Sequence, residues 1–186
     1  MIPDNLHENQ ASFRIMQSTL IGLPSPDCLR SDKFPGIQIG SEPVIGDHCL
    51  IFANVFIGNG FRCGDHVLIR ENTAIGDGVT IGNRSCLDTD IVLADHVTIG
   101  DEVMVPRSTW IGCGVDIGTK VRFLSGPVVA SPGLRKDRCI ILEDGCSIGN
   151  DAIIGPGVCI GAGAHVEAGV TVTENVPPDV QRLNSQ

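Results

Sequence analysis

The chain has no tyrosine and a single tryptophan, and aromatics make up only 4% of its 186 residues. A core assembled from large interlocking rings is thereby excluded. Cations are scarce too: 13 Lys and Arg stand against 22 Asp and Glu, for a formal net charge of -9. Such a surface repels a phosphate backbone instead of displacing its counterions, which argues against a nucleic-acid partner. No run of 18 apolar residues is present to cross a membrane, and Met1 to Asn9 lacks the basic-then-apolar order of a secretory leader. The expectation is a soluble cytoplasmic protein with no membrane association. Among the eight cysteines there is no C-x-x-C pair and no zinc spacing, so free, mostly buried thiols are expected, with no metal.

What the chain does have is glycine, 23 residues of it, and a period. Steps of six from Ile39 run through Ile45, Ile51, Ile57, Cys63 and Ile69 to Ile117 and Phe123, then resume one residue out of phase from Leu142 to Val172. Of these 21 positions 19 are Ile, Val or Leu, residue types that make up only 51 of the 186. Four residues on, the side chain is usually small or β-branched, as at Cys49, Val55, Val67, Val97, Val158 and Ala164; Gly usually fills the position after each repeat start, with Asp or Asn next. Strand geometry sends the first and fifth positions to one side and the sixth to the other. The Gly-Asp-x stretch is expected to turn the chain, Gly by adopting positive φ and Asp by bonding its own backbone. Three such units make one 18-residue triangular coil, and stacked coils complete each other's hydrogen bonds.

This pattern resembles the hexapeptide-repeat acyltransferase family. The resemblance implies an all-β fold, a left-handed parallel β-helix forming a triangular prism of about seven coils; the general preference for right-handed crossovers would point the other way. Residues 1–35 are expected as an N-terminal extension with a short helix within Leu6 to Leu20 and a linker from Pro24 to Pro35. The β-helix is expected over 36–178, with an inserted loop at about 124–139, and 179–186 as a tail.

Reading the outward positions 18 apart gives three columns. One is Leu50, Leu68, Cys86, Met104, Arg122; the next is Phe56, Ala74, Val92, Trp110, Val128; the third is Val44, Arg62, Thr80, Thr98, Asp116. Two faces are thus mainly apolar where water should be, which points to a homo-oligomer, and the family resemblance makes it a homotrimer. The corner between those faces lacks Gly and carries Arg70, Glu71, Asp88, Asp90 and Arg107, expected to pair between subunits or to touch substrate. The other two corners would then line a shared cleft, His96 on one, His48 and His66 on the other.

Acyl transfer from a thioester needs a base for the acceptor, donors for the oxyanion and positioning. Histidine is the natural base near neutrality, so His96 and His66 are the catalytic candidates, with turn filler as the alternative for each; a base-free attack by a neutral amine also remains open. His165 falls at an outward strand position and reads as a solvent-facing or interface histidine. The block from Ile141 to Ala164, ending in Thr173-Glu-Asn-Val-Pro-Pro178, is similar to the coenzyme A-binding coils of sugar and nucleotide-sugar acetyltransferases. The resemblance implies acetyl-CoA as donor, a sugar or nucleotide sugar as acceptor, and cofactor contacts around Gly145, Ser147, Ala162 and Gly163; Glu167 stands where the family has Gly. In the loop, Arg135, Lys136 and Arg138 suit a phosphate group. Gly145-Cys-Ser147-Ile-Gly149 matches the esterase pattern G-x-S-x-G, but that pattern needs a strand-to-helix elbow and here it keeps the coil phase. A non-catalytic scaffold and, without an H-x4-H pair, a γ-carbonic-anhydrase-like protein are the competing readings.

Overall fold

A computed structural model describes residues 14–16, 18–24, 36–124 and 139–182. The described residues form 24 short strands and no helix. All strands pair in parallel, in three sheets of nine, eight and seven strands, each strand hydrogen-bonding to the one a full coil away. The product is a three-sided β-solenoid of about seven turns, a left-handed β-helix. Its three flat sides are named here faces A, B and C.

The outward columns fall in register as the 18-residue spacing requires. Face A runs Val44, Arg62, Thr80, Thr98, Asp116, Ser147, His165, Gln181. Face B runs Leu20, Leu50, Leu68, Cys86, Met104, Arg122, Ile153, Thr171. Face C runs Gln38, Phe56, Ala74, Val92, Trp110, Ile141, Cys159. The expected neighbour Val128 lies outside the described residues; Trp110 pairs instead with Ile141, and Leu124 N–H donates to Ile154 O at 2.8 Å. The coil therefore closes beneath the insertion.

Inward positions of the repeat are filled mainly by apolar side chains, with Thr73, Ser85 and Thr109 as buried polar exceptions, and Ile45, Ile51, Ile57, Ile75, Ile111, Leu142, Ile154 and Ile160 have no solvent exposure. At about 1.5–3 kcal/mol per buried aliphatic side chain, this column is the main favourable term in folding. No large ring is needed, because a triangular tube only a few side chains wide is filled by branched aliphatics.

The corners work differently from the sequence expectation. Left-handed φ falls on the third corner residue, as at His48 (56°), His66 (59°) and His96 (58°), or on a glycine there, as at Gly78 (66°). The glycine that opens the corner is required for close approach instead: a Cβ on Gly46 would lie 2.5 Å from Asp65 Oδ1 and Gly64 O in the next coil. Nor does the aspartate cap its own turn. Asp65 Oδ1 accepts the N–H of Asp47, Asn83 Oδ1 that of Asp65, and Asp101 Oδ1 that of Asn83. Corner carboxylates and amides thus tie coil to coil, satisfying donors that strand pairing leaves unused.

Pairing also starts ahead of the repeat. Within Leu6 to Leu20, where a helix is expected, Arg14–Ile15 is a strand pairing with Val44–Ile45, and Leu20–Leu23, starting at the end of that stretch, pairs with Leu50–Phe52. At the other end Gln181–Arg182 pairs with His165–Val166, so strand order continues past 178.

Candidate active site

Faces A and C meet at a corner that carries His96. The ring turns its Nδ1–Cε1 edge to the coil below, where a Cβ on Gly78 would come within 2.6 Å of Nδ1. One, two and three coils on, the same corner position is Gly114, Gly145 and Gly163, whose N–H groups donate to Asp95 O, Cys113 O and Asp144 O at 2.9, 2.8 and 3.0 Å. Since coils stack about 4.8 Å apart, His96 sits about 10 Å along one edge from Gly145, with Ala162 and Gly163 beyond it. Ser147 lies two residues into face A from Gly145. The structure therefore gathers His96 and the four C-terminal cofactor candidates on one edge. Ala162 N–H is also used internally, donating to Glu143 Oε2 at 3.0 Å. Any ligand here meets glycine surface and side chains, because these four amides already have partners.

His66 is elsewhere. It occupies the corner between faces A and B, stacked on His48 with ring centroids 5.0 Å apart and planes inclined by 12°. The next coil puts Arg84 at that position, paired with Glu102 at 2.8 Å. One chain does not bring His66 and His96 together, since face A separates the two corners. Arg135 and Lys136 lie outside the described residues.

At the corner between the apolar faces, the ions expected to reach across subunits already pair within the chain. Arg70 donates to Glu71 Oε1 at 3.1 Å and Asp88 Oδ1 at 3.0 Å, and Asn72 Nδ2 to Asp90 Oδ1 at 3.1 Å. Arg107 is exposed.

A constellation not anticipated from sequence lies on face A. A groove of about 490 Å³ is lined by Asp116, Gly118, Ser147, Asn150, His165 and Glu167, among others. On its floor Ser147 Oγ and His165 Nδ1 are 2.6 Å apart. The 18-residue spacing of two outward positions was the signal that could have found the pair. Asp116, the next rung of the column, is 31 residues from Ser147 because the inserted loop intervenes. Among the described residues no group of three or more His, Cys, Asp or Glu is placed to hold a metal ion.

Three thiols, Cys49, Cys63 and Cys146, sit inside the prism. Cys49 and Cys63 Sγ atoms are 4.0 Å apart, and the hydrogen bond from Cys63 lowers the Cys49 thiol to about 7, whereas that same bond and burial push Cys63 up. Burial pushes Cys146 up to about 12 from 9.0. A raised thiol stays neutral in the folded chain while the unfolded chain ionises, so its contribution is complete below pH 9 and declines as pH rises toward 12. The expected result is a loss of about 2 kcal/mol from this group between pH 9 and 10.5. Urea melts at both pH values check it: Cys146→Ala is less stable than wild type at pH 8, and the gap narrows at pH 10.5. An unchanged gap contradicts the assignment.

No family model matches the chain. Over 71 residues it is 34% identical to the bifunctional protein GlmU of Trichlorobacter lovleyi, a match covering 38% of this chain and 15% of that protein. Among solved structures it is similar to the polysialic-acid-specific acetyltransferase NeuO, with a TM-score of 0.45 and 19% identity over 89% of this chain and 82% of that one. It is similar also to a variant of AntD, an N-acyltransferase of Bacillus cereus bound to dTDP-4-amino-4,6-dideoxyglucose and coenzyme A (TM-score 0.40, 20% identity, coverage 82% and 80%). A hexapeptide-repeat acetyltransferase of Vibrio cholerae complexed with acetyl coenzyme A gives a TM-score of 0.38 at 22% identity, with coverage of 80% and 66%.

Proposed function

We propose that the protein is an acyl-CoA-dependent acyltransferase, moving the acetyl group of acetyl-CoA to an amine or hydroxyl of a sugar or nucleotide sugar. The observation that carries this reading is the shared edge. A histidine in a strained turn and the coils resembling a coenzyme A-binding block lie on one corner, beside a polar groove. The acceptor attacks the thioester carbonyl, His96 takes the acceptor's proton, and the coenzyme A thiolate leaves and is reprotonated. The protein acts as a cytoplasmic homotrimer in which faces B and C are covered by neighbours, so that the His96 edge of one subunit meets the His48–His66 edge of the next. Arg135 and Lys136 bind phosphate groups of the donor.

A scaffold without catalysis is the competing reading, favoured by the internally bonded amides of Gly145, Ala162 and Gly163. Calorimetry with acetyl-CoA separates the two. Micromolar binding to the wild-type chain is expected, weakened about tenfold or more in Arg135→Ala/Lys136→Ala by loss of charge-assisted bonds. No binding at millimolar ligand overturns the acyltransferase reading.

A further inference from the structure

Ser147 and His165 face each other because of register. They are partners on adjacent strands of face A, and each precedes an inward residue, Ile148 and Val166, that is 2% and 0% exposed. Both side chains must therefore point outward, side by side on neighbouring strands. The 2.6 Å separation of Oγ and Nδ1 is the short end of hydrogen bonding and the contact a nucleophile makes with its base. The pair lies in a shallow, open groove that it shares with Asp116, Asn150 and Glu167. On the groove's rim, Asn150 has its Oδ1 occupied by the N–H of Thr119 at 2.8 Å, which leaves Nδ2 free to donate.

We propose that Ser147 is a nucleophile that accepts an acyl group from an activated ester or thioester, with His165 as its base. With Nε2 carrying the ring proton, Nδ1 accepts the hydroxyl proton as Oγ bonds to the acyl carbon. Asn150 Nδ2 donates to the oxyanion of the tetrahedral intermediate. Collapse breaks the bond to the leaving oxygen or sulfur, which departs with the proton from His165. Water then attacks the acyl-serine while His165 removes its proton, and as the bond to Oγ breaks His165 returns that proton to Ser147, releasing the carboxylic acid and regenerating the hydroxyl. No oxidant, reductant or metal enters the balance.

Two carboxylates, Asp116 and Glu167, border the groove, so it disfavours polyanionic leaving groups and takes neutral acyl esters best. The esterase-like order Gly145-Cys-Ser147-Ile-Gly149 has no elbow here: Ser147 stands on a strand, and strand pairing supplies the base that an elbow otherwise presents. This site needs neither His96 nor acetyl-CoA. Its failure is thus read apart from that of the acyltransferase reading, which calorimetry decides.

The test is acid-quenched peptide mass spectrometry of the full chain after exposure to p-nitrophenyl acetate, with p-nitrophenol release followed in parallel. The expected result is one acetyl group on the Ser147 peptide and a burst of p-nitrophenol that Ser147→Ala abolishes. His165→Gln is expected to slow acylation about 10²-fold or more. Both substitutions sit on the outer face and leave the thermal midpoint in place, and peptide mapping distinguishes Ser147 from the exposed thiol of Cys113. Absence of acetyl-Ser147 in the wild type, or an acylation rate unchanged in His165→Gln, overturns the proposal.

Discussion

Replacing His96 by Asn is expected to lower kcat for acetyl transfer by about 10²–10⁴-fold, the usual contribution of a positioned general base. The choice of Asn matters. His96 is held at φ 58°, a conformation that costs an ordinary L residue about 1–2 kcal/mol and that Asn tolerates better than most. The variant should therefore melt at the wild-type temperature or slightly above it, so lost activity cannot be ascribed to lost structure. KM for acetyl-CoA should hold, because the coils resembling the cofactor block begin two turns further along the edge. His66→Asn, at φ 59° and stacked on His48, is the matched control for the other corner. Release of coenzyme A thiol with an amino-sugar acceptor measures both. Wild-type kcat in His96→Asn overturns the base assignment and leaves attack by an already neutral amine.

The fold was legible because the core is a one-dimensional pattern. Inward residues recur every six and outward columns every 18 from Ile39 onward, a regularity that the sequence displays independently of any contact. The N-terminal strands carry no such period. Leu20 to Leu23 is not preceded by a Gly-Asp corner, and Cys49 lies 30 residues from its partner Thr19 instead of 18. Their strand conformation is supplied by the coil they pair with, which local sequence does not announce. The corner chemistry was misread for a related reason: a Gly-Asp dipeptide looks like a self-contained turn, and only stacking shows that its aspartate serves the coil before it. At the site, counting places His96 and the C-terminal block on one edge, whereas Ser147 and His165 meet through the register of face A, which their 18-residue spacing carries and their local sequence does not. Whether His66 meets His96 depends on a second chain, and no period in one chain encodes that.

That dependence makes assembly the other large effect. Trp110→Asp is expected to convert a trimer into a monomer and to abolish acetyl transfer. In the single chain Trp110 is 41% exposed, in a column with Phe56 at 52% and Val92, while Met104 at 66% stands out from the neighbouring face. Isolated apolar residues on a surface require no explanation, but two adjoining faces of them do. With 41% of its surface still exposed, Trp110 has about 100 Å² left to bury at a subunit contact, worth about 2–3 kcal/mol at roughly 25 cal/mol per Å². An aspartate there would instead place an unpaired carboxylate in a desolvated contact, a penalty of several kcal/mol per site. The coil itself should survive, because Ile111, the inward neighbour of Trp110, stays fully buried among residues of its own chain. Sedimentation equilibrium should show wild type at three times 19.6 kDa and the variant at 19.6 kDa. Its melting temperature should no longer rise with protein concentration, since mass action acts only on an assembling chain. A wild-type chain that sediments as a monomer, or a Trp110→Asp chain that remains trimeric, removes the subunit cleft and with it any shared role for His66 and His96.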